Sequence, residues 1–405
     1  MEQHHAPKDF SQHPQHKAHD EHIGDEHNIQ EHKNLDEGVK AKIPAESKNP
    51  SSQSDAEFKD LAKGCIFGAF IGDALGAFLE FQSEVSQEEV DTGMKMPGGG
   101  PFKIGPGQVT DDSELAQSLM KGLIEGQGTL DLNLIARNYA EWYFSGPFDI
   151  GITIRNAVKR AAEAVEDGDD NKIAERAREG ALKSVQSQSN GSLMRITPLA
   201  VWASKLKPSD LATAVWEETR LTHPNRVALN ASILYVSVIQ HLLNNKGDYK
   251  GAYNRCFEVA EKIDDPEINT WLFELEENKL PVANKLIGWL KIAFLHALYY
   301  LKENYSYEEA LRELLGKAGD TDTNLAIVGG VLGALHGFST LSRDHIDKVL
   351  SMENRVSRPE QWCPALHLED SINELIRIRP TELKMKASES EKYKNVHSWR
   401  GPPEI

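Results

Sequence analysis

The chain has 405 residues, with 45 Lys and Arg against 62 Asp and Glu and a formal net charge of −17. That balance argues against nucleic acid as a partner, because phosphate binding needs a basic face. No run of 18 apolar residues is present and the N-terminus has no apolar signal-peptide stretch, so the expectation is a cytoplasmic protein with no membrane contact.

Residues 1–55 differ in kind from the rest. They are polar and carry eight histidines, His4, His5, His13, His16, His19, His22, His27 and His32, at irregular spacing. Such a segment buries too little apolar surface to offset the entropy of ordering, so a disordered tail is expected. A His-rich tract can also hold Zn or Ni adventitiously, but the spacing assigns no site. Cys65, Cys256 and Cys363 lie far apart with no metal-ligand spacing and read as buried thiols in a reducing compartment.

The body, 56–350, repeats apolar residues at helical spacing. Leu115-Leu119-Leu123, Leu132-Ile135-Tyr139-Trp142 and Leu286-Leu290-Ile292-Leu295-Leu298 are examples. Strand patterns are nearly absent, and Gly146-Pro147 and Gly105-Pro106-Gly107 mark turns. The expectation is one all-α domain of about 300 residues, larger than a simple bundle. Residues 351–405 read as an extension, partly helical and then loose.

Gly64, Gly68, Gly72 and Gly76 recur every four residues and line one face of a helix. Each costs about 1 kcal/mol of helix stability against Ala, and the return is close approach of another backbone. Asp73 and Glu80 are polar exceptions in that stretch, either plain solvated carboxylates or functional groups. Thr110-Asp111-Asp112-Ser113-Glu114 then enters an apolar helix. One helix cap needs one acceptor, and here several oxygens come in a row. Adjacent acids repel unless a cation lies between them, and a hard cation wants such oxygens. Gly319-Asp320-Thr321-Asp322-Thr323 has the same form before a second apolar helix. Capping explains one residue of each cluster, and a shared dimetal site explains them all.

Three further stretches carry polar groups. Asp149 follows Gly146-Pro147-Phe148 in a loop, as a cap or an acid. Ser187-Gln188-Ser189-Asn190-Gly191-Ser192 offers N–H groups and hydroxyls that suit a diphosphate at a helix start, or an ordinary capped helix. Arg195 either touches ligand or pairs with a buried carboxylate. His223, in Thr222-His223-Pro224, is either structural or a ligand contact.

Taken in order, Gly72-Asp73-Ala74-Leu75-Gly76, Thr110-Asp111-Asp112, Pro147-Phe148-Asp149-Ile150-Gly151, Asn190-Gly191-Ser192-Leu193-Met194-Arg195, Thr222-His223-Pro224 and Gly319-Asp320-Thr321-Asp322-Thr323 resemble the signatures of the ADP-ribosylglycohydrolase family, from about Gly64 to Gly337. The resemblance is stronger to the dinitrogenase-reductase-activating, arginine-type branch than to the animal serine-specific one. It implies two Mg²⁺ or Mn²⁺ ions held by Thr110, Asp111, Asp112, Asp320, Asp322 and Thr323. It also implies catalytic roles for Glu80, Asp149 and Asp112, and substrate contacts from Gly151, Ser189, Asn190, Gly191, Ser192 and His223. The implied partner is an ADP-ribosylated protein, ADP-ribose is the product, and a monomer is expected. Another ADP-ribosyl linkage (serine, a base or a small metabolite) and a non-catalytic ADP-ribose-binding relative are the alternatives. The presence of every metal acid argues against the last. Ala318 departs from the pattern, standing where a glycine is frequent, and Ser113 stands where Thr is common.

Overall fold

The computed structural model describes residues 53–386, 402, 403 and 405. Nearly all of the His-rich N-terminal tail and the stretch 387–401 lie outside the described residues. The described residues belong to one compact unit. In chain order its helices are α1 (Asp55–Gly76), α2 (Gln87–Gly93), α3 (Asp111–Glu125), α4 (Leu132–Phe144), α5 (Ile152–Glu166), α6 (Ile173–Ala181), α7 (Thr197–Trp202), α8 (Pro208–Thr219), α9 (Arg226–Asn244), α10 (Tyr249–Ile263), α11 (Pro266–Glu276), α12 (Leu290–Lys302), α13 (Tyr307–Leu315), α14 (Thr321–His336), α15 (Arg343–Leu350) and α16 (Pro364–Arg377). The strands among the described residues are the short β1 (Thr129–Asp131) and β2 (Lys384–Lys386), paired in parallel. The all-α expectation is borne out.

The glycine stripe fixes the centre of the fold. Helices α1 and α14 pack antiparallel at backbone distance. A Cβ added to Gly64, Gly68 or Gly72 would lie 2.3, 2.3 or 2.2 Å from the carbonyl oxygens of Gly333, Gly329 and Leu325. At Gly76 it would lie 2.3 Å from the Cα of Asp322, and the Thr321 hydroxyl donates to the Gly76 carbonyl at 2.7 Å. The glycines therefore set the end of α1 against the start of α14, where the acids are.

Helix α9 is long and apolar enough by composition to cross a membrane, and 83% of that stretch is buried inside the body. It is a core helix, satisfied by protein on nearly every side. Cys65, Cys256 and Cys363 are buried and free, and burial pushes each thiol up. Helix α12 begins at Leu290, later than the apolar pattern through Leu286 predicts. Leu286 (φ +50°) and Gly288 (φ +81°) adopt left-handed backbone there, which ends any helix before Leu290. The segment after 350 contributes Trp362, Leu368, Ile372 and Leu375 to the same core.

Ala318 also lies in the left-handed region, at φ +60°. Alanine pays about 1–2 kcal/mol there, while glycine pays for its freer unfolded chain. Ala318→Gly is expected to stabilise the protein by about 0.5 kcal/mol, measured by urea denaturation; destabilisation would contradict this.

Candidate metal centre and binding loops

Half of the sixteen α-helices among the described residues are capped in the ordinary way. Ser54, Ser86, Asp131, Asn225, Asp248, Asp265, Ser306 and Ser342 each accept from their own first turn. The two acidic clusters do not. Neither Thr110, at the start of α3, nor Asp320, at the start of α14, makes a side-chain cap bond. The capping explanation of these clusters is thereby removed.

Asp73 does the capping of α3 from another helix. Its carboxylate accepts from the Thr110 backbone (3.1 Å) and hydroxyl (2.9 Å), and from the Ser113 backbone (3.1 Å) and hydroxyl (2.5 Å). Burial raises its pKa to about 6 against the lowering by those bonds. Asp73 thus locks the start of α3 against α1, with Asp111 and Asp112 on the locked turn. Sequence reasoning noticed Asp73 as a polar exception but gave it no role.

The remaining acids converge where the chain leaving α1 meets the starts of α3 and α14. Ligand oxygens of Glu80, Asp320 and Asp322 lie within 4.8 Å of one another. That is about twice a metal–oxygen distance of 2.1–2.5 Å, the spacing that one shared cation produces. Asp112 stands outside that set of three, and its Oδ2 links the two helix starts by accepting from the hydroxyls of Thr110 (3.3 Å) and Thr323 (3.5 Å). The opposite oxygens, Asp112 Oδ1, Asp322 Oδ1 and Glu80 Oε2, are buried and have no partner. Orphaned buried carboxylate oxygens are costly, and a hard cation would satisfy them. Burial first, then the neighbouring carboxylates, hold Glu80, Asp111, Asp112 and Asp322 well above the usual carboxylate range. The positive N-terminal ends of α3 and α14 offset part of that repulsion.

Asp149, half-buried, stands at the edge of this group beside Asp111 and is raised to about 6 by burial. Phe81, Phe102 and Phe148 form an aromatic edge beside it, with ring centroids 6.4 and 5.5 Å apart. Phe81 follows Glu80 and Phe148 precedes Asp149, so the edge joins the two acids. Phe81 has φ +65° and is pinned by its N–H on the Gly319 carbonyl at 2.8 Å.

The predicted binding stretch lies on another side. The Asn190 amide donates to Asp320 Oδ2 at 2.7 Å, joining the loop to the acids. The Asn190 N–H donates to the Gly288 carbonyl and the Leu290 N–H to the Gln188 carbonyl, while the Trp289 indole donates to the Gln188 side chain. The 286–289 loop, missed from sequence because the apolar pattern ran through it, therefore braces this stretch. The Ser189 hydroxyl contacts His223 Nε2 at 3.1 Å and donates to Thr153 at 3.3 Å. Gly191 leaves room for the His223 ring, which a Cβ would meet at 3.1 Å. Ser192 departs from expectation: its hydroxyl is buried and accepts from Ser232, facing the core.

The helix start expected after Ser189 is a single 3₁₀ turn, Asn190–Ser192. Two helix N-termini on this side are free of a side-chain cap, that of α5, whose N-cap is Gly151, and that of α12, whose N-cap is Trp289. Thr153, in its first turn, meets Ser187 at 2.9 Å, so Gly151 and the 187–192 stretch share one rim. Arg195 is structural: both it and Glu218 have fully buried side chains, and they pair with Tyr139.

The profile of the ADP-ribosylglycohydrolase family matches residues 54–379. The chain belongs to the ADP-ribosylglycohydrolase family. The match runs through α16, past the Gly64–Gly337 range carried by the sequence signatures. Among relatives, the ADP-ribosyl-dinitrogen reductase glycohydrolase of Rhodospirillum rubrum is 28% identical over 74% of this chain and 94% of its own length. The ADP-ribosylarginine hydrolase Tri1 of Serratia proteamaculans is 25% identical over 76% of this chain and 80% of its own. The ADP-ribosylhydrolase ARH3 of Xenopus tropicalis is 23% identical over 75% and 94%. A solved ADP-ribosylglycohydrolase-related protein complex superposes with a TM-score of 0.60 at 24% identity, covering 80% of this chain and 99% of that one, and supports the fold.

Proposed function

We propose that this ADP-ribosylglycohydrolase is a divalent-metal-dependent hydrolase that releases ADP-ribose from protein arginine. The observation that carries the metal reading is the set of unpartnered buried oxygens on Glu80, Asp112 and Asp322. Asp111, Asp112, Asp320 and Asp322, with Thr110 and Thr323, would hold two Mg²⁺ or Mn²⁺ ions, and Glu80 stands close enough to share them. When bound, the ions supply positive charge that fixes the ribose hydroxyls and offsets the carboxylates.

The chain's own residues do the rest. Asn190 steadies Asp320, and Asp73 steadies the turn that carries Asp111 and Asp112. The Ser187–Gly191 rim, with Gly151 at the start of α5, takes the diphosphate through N–H groups and hydroxyls. His223 supports Ser189 at that rim. Departure of the leaving group builds oxocarbenium-like charge at the ribose C1, which the Asp149 carboxylate stabilises. Burial, with the Asp320 charge behind it, raises Asp149 to about 6, so a protonated Asp149 gives its proton to the departing guanidine as the C1–N bond breaks, and water supplies the new C1–O bond. The edge of Phe81, Phe102 and Phe148 suits a guanidinium, which stacks on aromatic faces, and two of the relatives above are named for arginine or dinitrogen reductase.

The test is to incubate the protein and Mg²⁺ with peptides ADP-ribosylated on arginine or on serine and to measure free ADP-ribose. Release from arginine, stopped by EDTA, is expected. Release from serine alone would remove the role given to Asp149, and release from neither would sink the hydrolase reading.

A further inference from the structure

We propose that Arg358 is a positioning residue for Asp149, tying the loop that carries Asp149 to the helix that carries Asp111 and Asp112. The inference rests on the assignment of Asp149 to the reacting centre made above.

Arg358 is buried and comes from the stretch between α15 and α16, far in sequence from every signature residue. All five of its N–H donors are used. Nε and Nη2 form a fork on Glu114, at 2.8 Å each. Nη1 donates to the carbonyls of Ser145 (2.9 Å) and Gly146 (3.0 Å), and Nη2 donates also to the Ser145 hydroxyl at 2.7 Å. Glu114 lies two residues after Asp112 on α3, and Gly146 lies three residues before Asp149. Gly146 has φ +67° and open space where a Cβ would stand, and its N–H bonds the Tyr143 carbonyl at 3.1 Å. The guanidinium adds the tie that holds this turn to α3.

The support of Arg358 is itself fixed. Asn354 accepts from the Arg358 N–H at 2.9 Å and donates to its carbonyl at 2.8 Å. Gln108, two residues before Thr110, donates to the Val356 carbonyl at 2.7 Å and accepts from its N–H at 3.2 Å. Gly105 and Gly107 let the 348–353 backbone come closer than any Cβ allows. One strap thus grips both the approach to the metal acids and the approach to Asp149. A planar five-donor fork matches these acceptors, and a lysine, with three donors on a point charge, does not.

Removing Arg358 alone would leave Glu114 as a lone buried charge and endanger folding. The informative pair is therefore Arg358→Met with Glu114→Gln, alongside Arg358→Lys. On ADP-ribosyl-arginine, both are expected to lower kcat by about 10- to 100-fold with KM within about 3-fold, since a misplacement near 1 Å costs that much. In an Asp149→Asn background the same changes should alter the residual kcat by less than about 2-fold, because the group being positioned is gone. An equal loss in both backgrounds would make Arg358 a general structural residue and overturn the proposal, as would an undiminished kcat in the native background. A wild-type rate for Asp149→Asn alone would remove the Asp149 assignment, and this inference with it.

Discussion

Replacing Asp112 with Asn is expected to raise the melting temperature of the EDTA-treated protein while abolishing its stabilisation by Mg²⁺ and its hydrolase activity. Without a cation, Asp112 is a buried carboxylate facing Asp322, Asp73 and Asp111, and its pKa is held well up by burial first and by those charges second. An amide keeps the shape and removes one repelling charge. Relief on the order of 1–2 kcal/mol is a rise of about 2–4 °C in a body of this size. The same substitution removes a ligand, so the stabilisation of about 2.7 kcal/mol that a metal at 100 times its Kd gives is lost. Activity should fall at least about 10³-fold, the scale of losing several kcal/mol of charge stabilisation. Asp322→Asn should behave alike.

The same physics sets a pH dependence for the metal-free protein. Asp73 and Asp149 have folded-state pKa values raised to about 6 from 3.8. Between those values the folded state holds more protons than the unfolded state, so stability falls as pH rises. The stability that these groups contribute is present below about pH 4 and lost as pH passes 6. In EDTA, melting should be lower at pH 8 than at pH 5, and Mg²⁺ should reverse the difference at pH 8. A rise in metal-free stability over that window would contradict the account of the acids.

Arg195→Met is expected to destabilise the protein by about 3–5 kcal/mol, the usual loss when one partner of a buried ion pair is removed. The Arg195 and Glu218 side chains are fully buried, and Tyr139 donates to Glu218 at 2.7 Å. Without the guanidinium, Glu218 is an unpaired charge in the core. Arg195→Met with Glu218→Gln should recover most of the loss in urea denaturation, as replaced buried pairs often do. That double variant should nonetheless bind ADP-ribose about 10-fold more weakly, since it leaves the Ser189 relay unfixed. The Arg195 Nη2 donates to the Thr222 hydroxyl at 2.7 Å, which leaves the Thr222 proton for His223 Nδ1 at 2.8 Å. His223 then carries its proton on Nε2, toward Ser189. Burial lowers the His223 pKa to about 3, so the ring remains neutral and this direction persists at neutral pH. Full ADP-ribose affinity in the double variant would show that the relay does not matter.

What could be read from sequence was what is local. Thr110-Asp111-Asp112 and Asp320–Thr323 each announce themselves as too many oxygens for one cap, and the glycine stripe announces a close helix contact. The structure places each where its spacing implied. What could not be read depends on residues far apart. Asp73 caps a helix 37 residues onward, Asn190 reaches Asp320 across 130 residues, and Arg358 reaches Glu114 across 244. No local pattern encodes those pairings, because each is made by packing of helices that periodicity alone does not orient. The start of α12 departs from the apolar pattern for a local reason: Leu286 fits a helical stripe, yet it and Gly288 both take left-handed backbone, which ends a helix.

The claim on which the rest depends is that the two acidic clusters are halves of one cation site. An anomalous difference map from a crystal of the full chain soaked in Mn²⁺ tests it most directly. Density among the carboxylates of Glu80, Asp112, Asp320 and Asp322, lost in Asp322→Asn, is the predicted result. A soaked crystal with no density there, or density that persists unchanged in Asp322→Asn, would contradict it.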